Sequence, residues 1–324
     1  MKKNIALIGV GHWGKNHLRN LEKLGVLHSV VEPDSENIER SKKDFPHVNY
    51  VNNDSYILDN SDIQAVVIAA PAALHFELTK KYLLAKKDVL VEKPLALTVA
   101  EGLKLVGIAH IENRILMVGH ILQYHPAVVK LKELIDAGEL GEIRYIYSNR
   151  LNIGKLRIEE NVLWSFAPHD ISLILMFLNG EEPIRVGAYG GAYVKPGIFD
   201  TTLTTLEFKN GVKSHIFVNW LHPFKEQKLV VVGSKKMAVF DDVSDDKLLI
   251  YPHKIDFING EIPVARKAES YSVDFEKKEP LREELLHFIQ CIKSRQPPKT
   301  DGVEGLNVLK ILEQAEKKLN VKFK

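Results

Sequence analysis

Two groups of residues have types and spacing that could support chemistry. The first is Gly9-x-Gly11-x-x-Gly14, which follows the apolar run from Ile5 to Ile8 and precedes a segment with Leu18, Leu21 and Leu24 on one side. Glycines so placed permit a tight turn, a close approach of backbone to a pyrophosphate, and close packing of helix on strand. The helix that starts there offers free N–H groups to phosphate oxygens. A second apolar run, Leu27 to Val31, ends at Glu32, 18 residues beyond Gly14, where a carboxylate can accept from a ribose 2′-hydroxyl. Gly9, Gly11, His12, Trp13, Gly14 and Glu32 therefore form a candidate dinucleotide site. The second group is Glu92-Lys93-Pro94, at the end of the apolar run Val89 to Val91. Open α/β sheets bind ligands at the carboxyl ends of their strands, and Pro94 restricts Lys93 to an extended backbone that aims its side chain out of the strand end. A plain surface lysine is the other reading of the same residues.

These residues need a scaffold that brings strand ends together, and the hydrophobic pattern supplies one. Strand and helix alternate through a polar helix over Ser35 to Asp44, a short strand near Tyr50, and a continuously apolar strand from Ala65 to Ala70 that stops at Pro71. Continuous apolarity is expected of a parallel strand covered on both faces. The loop Pro71 to His75 leads into a helix to about Ala85, Thr98 and Glu101 form a capping box, and Leu116 to Gly119 closes this half. The pattern predicts an α/β fold with an N-terminal doubly wound parallel sheet of the Rossmann kind over residues 1–121.

Beyond residue 121 the pattern changes. Helices are expected over Pro126 to Ala137 and Asp170 to Leu178, and strands over Ile143 to Leu151, Ile184 to Tyr193, Thr201 to Phe208, Val212 to Trp220, Lys228 to Val232 and Met237 to Phe240. Helix returns in Pro280 to Ser294 and Val303 to Leu319. Residues 122–324 thus read as a C-terminal α+β domain with a large, mostly antiparallel sheet. Helices cover one face of it, and the remaining face needs a partner. A homodimer or homotetramer through this sheet is expected.

Composition narrows the function classes. At 324 residues the chain exceeds the size at which single cores stop growing. A net charge of +2, without a basic run interleaved with aromatics, gives no footprint for nucleic acid. No segment has the apolar length that a membrane span needs, and the run after Lys2 and Lys3 is too short for a signal peptide and serves better as the first strand. The single cysteine, Cys291, excludes an intramolecular disulfide and falls in an amphipathic helical pattern, which suits a reducing, cytoplasmic compartment. His120, His125 and His222 lack ligand spacing and a carboxylate set, so no metal is expected.

Gly9-x-Gly11-x-x-Gly14, the Pro71 to His75 loop, Glu92-Lys93-Pro94, and Pro126 with Gly138-Glu-Leu-Gly141 together resemble the Gfo/Idh/MocA family of sugar dehydrogenases over nearly the whole chain. The resemblance implies that Lys93 is catalytic and binds substrate, and that Pro71, His75 and Glu92 lie in the cofactor site with NAD. It also implies a second catalytic and substrate-binding residue, a histidine at the start of a helix in the second domain, which His169 in Trp164-Ser-Phe-Ala-Pro-His169-Asp170 matches. Many members carry an aspartate four residues before this histidine; here Ser165 stands there. Asp170, adjacent in sequence, would point about 100° away on a helix and is a poor substitute.

The implied reaction is hydride transfer from a secondary alcohol carbon with loss of the hydroxyl proton. His169, of a residue type with a reference pKa near 6.5, suits a general base. Lys93 suits a group that holds the hydroxyl and stabilises developing negative charge. The reverse assignment, with Lys93 as base and His169 as orienter, stays open from sequence. Tyr124, within Gly119-His120-x-x-x-Tyr124-His125, and Arg150, Lys155 and Arg157 are expected on the substrate side, the cations as a clamp for a diphosphate. Strand alternation and a solvated charged face account for them as simply. These segments resemble those of nucleotide-sugar 3-dehydrogenases, which oxidise the 3-hydroxyl of UDP-N-acetylglucosamine. Dehydrogenases of free sugars or cyclitols, redox-assisted glycoside cleavage, and a non-catalytic NAD sensor are the alternatives. Because Glu32 accepts from a ribose diol and repels a phosphate, NAD should bind more tightly than NADP. Calorimetric titration with both cofactors checks this, and equal or tighter NADP binding would refute it.

Overall fold

The computed structural model describes residues 3–154 and 156–319; Lys155, one of the three expected clamp cations, lies outside the described residues. The chain divides into two compact units, the first running to Ile121 and resuming over Glu279–Lys310, the second comprising Leu122–Lys278 and the chain from Ile311.

In the first unit, β1 (Ile5–Ile8), α1 (Gly14–Lys23), β2 (Leu27–Val31), α2 (Ser35–Asp44), β3 (Tyr50–Val51), α3 (Ser55–Asp59), β4 (Ala65–Ile68), α4 (His75–Leu84), β5 (Asp88–Glu92), α5 (Val99–Ile111) and β6 (Leu116–Gly119) follow in order. The strands form one sheet in the order β3-β2-β1-β4-β5-β6, parallel throughout, with Ile8 paired to both Val31 and Ile68. This is the doubly wound order, and its reversal point lies between β1 and β4, where the glycine turn leaves β1. Every residue of β1 and β4 is buried, as their unbroken apolar runs predict.

The second unit contains α6 (Pro126–Asp136), β7 (Ile143–Leu151), α7 (Val162–Phe177), β8 (Arg185–Gly191), β9 (Thr201–Glu207), β10 (Lys213–Asn219), β11 (Glu226–Gly233), β12 (Met237–Asp241), β13 (Leu248–Tyr251), a hairpin of β14 (Lys254–Ile258) and β15 (Ile262–Arg266), and β16 (Tyr271–Ser272). Eight of these strands form a sheet in the order β16-β13-β12-β11-β7-β10-β9-β8. All its pairs are antiparallel except β7 with β10. Alternate residues such as Thr202, Thr204 and Leu206 on β9 are buried, while their neighbours are only half-buried. A turn at Lys209 to Gly211 joins β9 to β10, with Gly211 at φ +86°.

A buried ion pair fixes α7 to the sheet. Arg150 on β7 donates from Nε and Nη2 to the Asp170 carboxylate at 2.9 and 3.1 Å, and Ser148 Oγ donates to the same carboxylate at 2.6 Å. Arg150 is 6% exposed and Asp170 1%. Asp170 holds the Arg150 guanidinium charged, raising its already high pKa against the opposing effect of burial.

The structure departs from the sequence expectation at four places. Glu279–Lys310 packs with the first unit rather than the second, because the edge of β6 needs partners. Val118 N–H donates to the Thr300 carbonyl at 2.8 Å, and the Thr300 hydroxyl donates back to the Val118 carbonyl. The helices of this stretch are α8 (Pro280–Ser294) and α9 (Gly302–Leu319). Helix α7 starts at Val162, not Asp170, since the Asn161 side chain accepts from Trp164 N–H and caps it early. Pro168 therefore lies inside the helix, where it has no N–H to donate. The strands β13 to β16 and the short helix α3 carry no clear alternation and went unanticipated, as did the parallel pairing of β7 with β10.

Replacing Asp170 by Asn should leave a buried guanidinium without its counter-charge and cost about 3–5 kcal/mol. Urea denaturation checks this, and the double variant with Arg150→Met should recover much of the loss. A cost under about 1 kcal/mol would show that solvent screens the pair.

Candidate active site

On the first unit, the glycine turn has the form that a dinucleotide requires. Gly9 leaves β1 at φ +92°, and a Cβ on Gly14 would lie 2.2 Å from the Gly9 carbonyl oxygen, so only glycine lets α1 begin this close to β1. Gly11 differs: a Cβ there would meet nothing within 4 Å, so this side of the turn is open. Helix α1 starts without a side-chain cap and without an acidic residue in its first turn, which leaves its N–H groups and positive dipole end for an anion. Glu32 is buried just past β2. Its Oε2 accepts from Val10 N–H at 2.8 Å and its Oε1 from Asp34 N–H at 3.0 Å. A carboxylate has about four acceptor positions, so Glu32 is fixed in place with capacity left for a hydroxyl. The open Gly11, the uncapped helix and the oriented carboxylate fit the cofactor.

Glu92 is the junction of this half. It ends β5, and its Oε1 accepts from the Trp13 indole N–H at 2.5 Å and lies 2.7 Å from His17 Nε2, while Oε2 accepts from Lys93 N–H at 3.3 Å. On the neighbouring strand, Gly119 pairs with Glu92, and a Cβ there would come within 3.0 Å of Oε2. Burial pushes the Glu92 pKa up, but the bond and charge of His17, the Trp13 N–H and the Lys93 charge outweigh it and hold the group below the usual carboxylate range. The peptide between Lys93 and Pro94 is cis. His75, buried at the start of α4, lies 2.7 Å through Nδ1 from the Pro94 carbonyl and 3.0 Å through Nε2 from the Ala70 carbonyl. Both ring nitrogens face backbone, so His75 straps the Ala70 loop to the Lys93 turn, where the family resemblance had implied a place in the cofactor site. Pro71, beside it, is exposed at the head of a 3-10 turn, and His12 is exposed in the glycine turn.

On the second unit, His169 lies within α7 and is partly exposed, and Tyr124 is buried in the 3-10 turn Ile121–Tyr124. The Asp170 carboxylate accepts from Arg150 and Ser148, which takes three of its acceptor positions. The same bonds remove Arg150 from the expected clamp, because a buried, counter-charged guanidinium cannot bind a diphosphate. Arg157 is half-exposed and pairs with Glu160 at 2.6 Å. His125 caps α6 by accepting from Ala127 N–H, and His222 contacts the Phe224 carbonyl at 2.9 Å. Back on the first unit, His120 meets Glu304 of α9 at 2.5 Å.

The sequence reading missed what holds these groups. His17 falls in the apolar stripe of α1 with Gly14, Leu18 and Leu21, and a polar residue on a buried stripe was the available signal for its bond to Glu92. The pairing of Glu92 with Trp13 joins residues 79 apart and had none.

A model described as the oxidoreductase family with an NAD-binding Rossmann fold matches residues 3–120, and the GFO/IDH/MocA C-terminal domain matches residues 128–239. A UDP-N-acetylglucosamine 3-dehydrogenase of Acidithiobacillus ferrooxidans is 28% identical over 94% of this chain and 93% of its own. Its solved structure superposes with a TM-score of 0.84 at 26% identity, covering 98% of this chain and 97% of its own. A myo-inositol 2-dehydrogenase of Thermotoga maritima is 24% identical over 98% of this chain and 96% of its own. With a glycine turn and Glu32 built for a dinucleotide, and family models matching both halves, the chain is an NAD-binding oxidoreductase that belongs to the Gfo/Idh/MocA family.

Proposed function

We propose that this protein oxidises a secondary hydroxyl of a sugar with NAD, and that its substrate is a nucleotide sugar of the UDP-N-acetylglucosamine kind, oxidised at the 3-hydroxyl. The observation that carries the reading is Lys93 at the carboxyl end of β5, its turn fixed by Glu92 and His75, in a unit whose glycine turn and Glu32 suit the cofactor. When bound, NAD supplies the ring carbon that accepts the hydride.

Lys93 donates to the substrate hydroxyl and stabilises its developing negative charge, and His169 takes the proton as general base. Glu32 orients the adenosine ribose, and Gly9, Gly11, His12, Trp13 and Gly14 form the phosphate turn. Tyr124 serves the substrate side. The nucleotide-sugar choice rests on the 28% identity with the UDP-N-acetylglucosamine 3-dehydrogenase over most of both chains, since Arg150 is committed to Asp170. A cyclitol is the second reading, favoured by the myo-inositol 2-dehydrogenase. The half-buried face of the eight-stranded sheet, carrying Tyr145, Tyr147 and Phe217, takes a second copy of the chain.

NADH absorbance with UDP-N-acetylglucosamine, free N-acetylglucosamine and myo-inositol tests the substrate. The highest kcat/KM is expected for the UDP sugar, and a higher value for myo-inositol would replace that reading by the second. His169→Asn should lower kcat by about 10² to 10⁴ and remove the acidic limb of the pH profile, with NAD affinity unchanged. Lys93→Met should lose more of its activity through KM. An unchanged pH profile in His169→Asn would transfer the base to Lys93.

A further inference from the structure

Helix α8 carries an apolar stripe of Leu281, Leu285, Phe288 and Ile289, and Glu284 lies within it, fully buried. Neither carboxyl oxygen of Glu284 has a hydrogen-bond partner. Helix α1, which packs on α8, contributes two further buried polar atoms without partners, Nδ1 of His17 and Oδ1 of Asn20. A carboxylate without a donor in apolar packing is strongly disfavoured, whereas the neutral acid is tolerated.

The charges around Glu284 act in the same direction. From β5, Glu92 adds a like charge; from the loop after α8, Lys299 opposes it, and burial and Glu92 prevail, holding the Glu284 pKa well above its ordinary value. Lys299 is itself lowered to about 8 by burial, against the pull of Glu284 and Glu283. On α1, His17 is engaged with Glu92, and Arg19 and Asn20 with Glu279. On α8 itself, His287 lies near Cys291 and accepts from Lys299 N–H.

We propose that Glu284 is a positioning residue for Lys93: an uncharged carboxylic acid buried on α8, within the field of Glu92, so that the pair carries one negative charge, held on the atoms that bind Trp13, His17 and the Lys93 N–H. This rests on the assignment of Lys93 as the catalytic lysine. The charge of Glu92 is felt at Lys93, so ionising Glu284 adds a second negative charge to the pair and makes Lys93 hold its proton more tightly. Glu284 touches no substrate. It acts by keeping the local charge single.

The test needs no substrate, so a failure to find turnover leaves it intact. Thermal and urea unfolding of the wild type and Glu284→Gln are compared between about pH 5 and 9. The native acid keeps its proton where the unfolded chain, with a glutamate pKa near 4.3, has lost it. Wild-type stability is therefore fully present below that value and drains as pH rises. Relative to Glu284→Gln, the wild-type unfolding constant should grow by up to about tenfold per pH unit, from its smallest relative value at pH 5. Parallel curves would overturn the neutral acid. In a second readout, pulse acetylation with mass-spectrometric quantification follows Lys93. Below the native pKa of Glu284 the two should react alike, whereas at the pH where the stability difference has stopped growing native Glu284 has itself ionised, and wild-type Lys93 should react several-fold more slowly than in the variant. Identical labelling there would reduce Glu284 to a packing residue. If Glu284→Gln does not fold, the infrared spectrum of the native chain in heavy water decides: a protonated carboxyl C=O band near neutral pH is expected, and its absence overturns the proposal.

Discussion

The Glu92 carboxylate is a negative charge at the end of a buried parallel strand, with a side chain only 14% exposed. Such a group must find donors or lose its charge. It finds them in Trp13 of the glycine turn, His17 of α1 and the backbone N–H of Lys93. Two of these donors come from the start of α1 and the third from the turn after β5. Satisfying one charge therefore fixes the start of α1 to the end of β5, and with it the turn that carries Lys93. The absence of a side chain at Gly119 gives the carboxylate its space, and His75 braces the same turn from the β4 side.

The second unit solves a similar problem on α7. Asp170 is a buried charge inside a helix, and it is satisfied by Arg150 and Ser148 from β7. The pair docks α7 on the sheet, and α7 carries His169. In each unit the candidate catalytic residue thus sits next in sequence to a buried acid: Lys93 after Glu92, His169 before Asp170. The acid is fixed by partners elsewhere in its unit, and the neighbour inherits that position through the backbone. A catalytic group needs such preorganisation, because small misplacements are expensive in rate.

Features governed by local pattern were legible from the residues. The continuous apolarity of Ala65 to Ile68 marked a covered parallel strand, and the glycine spacing with Glu32 marked a dinucleotide turn, because one strand–turn–helix unit determines both. The start of α7 was not, since Pro168 is a strong local signal for a helix start and the Asn161 cap seven residues earlier overrides it. Nor was the return of Glu279–Lys310 to the first unit, which depends on the edge of β6 requiring Thr300. Long-range satisfaction of polar groups leaves little trace in sequence. Where it does leave one, the trace is a charged or polar residue on an apolar helical stripe, as with His17 on α1 and Glu284 on α8.

The same accounting bears on substrate recognition. Cationic residues that look like a phosphate clamp in sequence are drawn to carboxylates of their own unit: Arg150 to Asp170, and Arg157 to Glu160. Asn149 likewise donates to Glu226. A buried, paired guanidinium contributes to docking α7 rather than to ligand affinity, because exposing it to a diphosphate would strand the Asp170 carboxylate in the core. Arg157 is different, since its pair is half-exposed and weak, so exchanging Glu160 for a phosphate costs little. On the proposed nucleotide-sugar reading, recognition of the diphosphate by side-chain charge therefore falls, of these two cations, to Arg157 rather than Arg150.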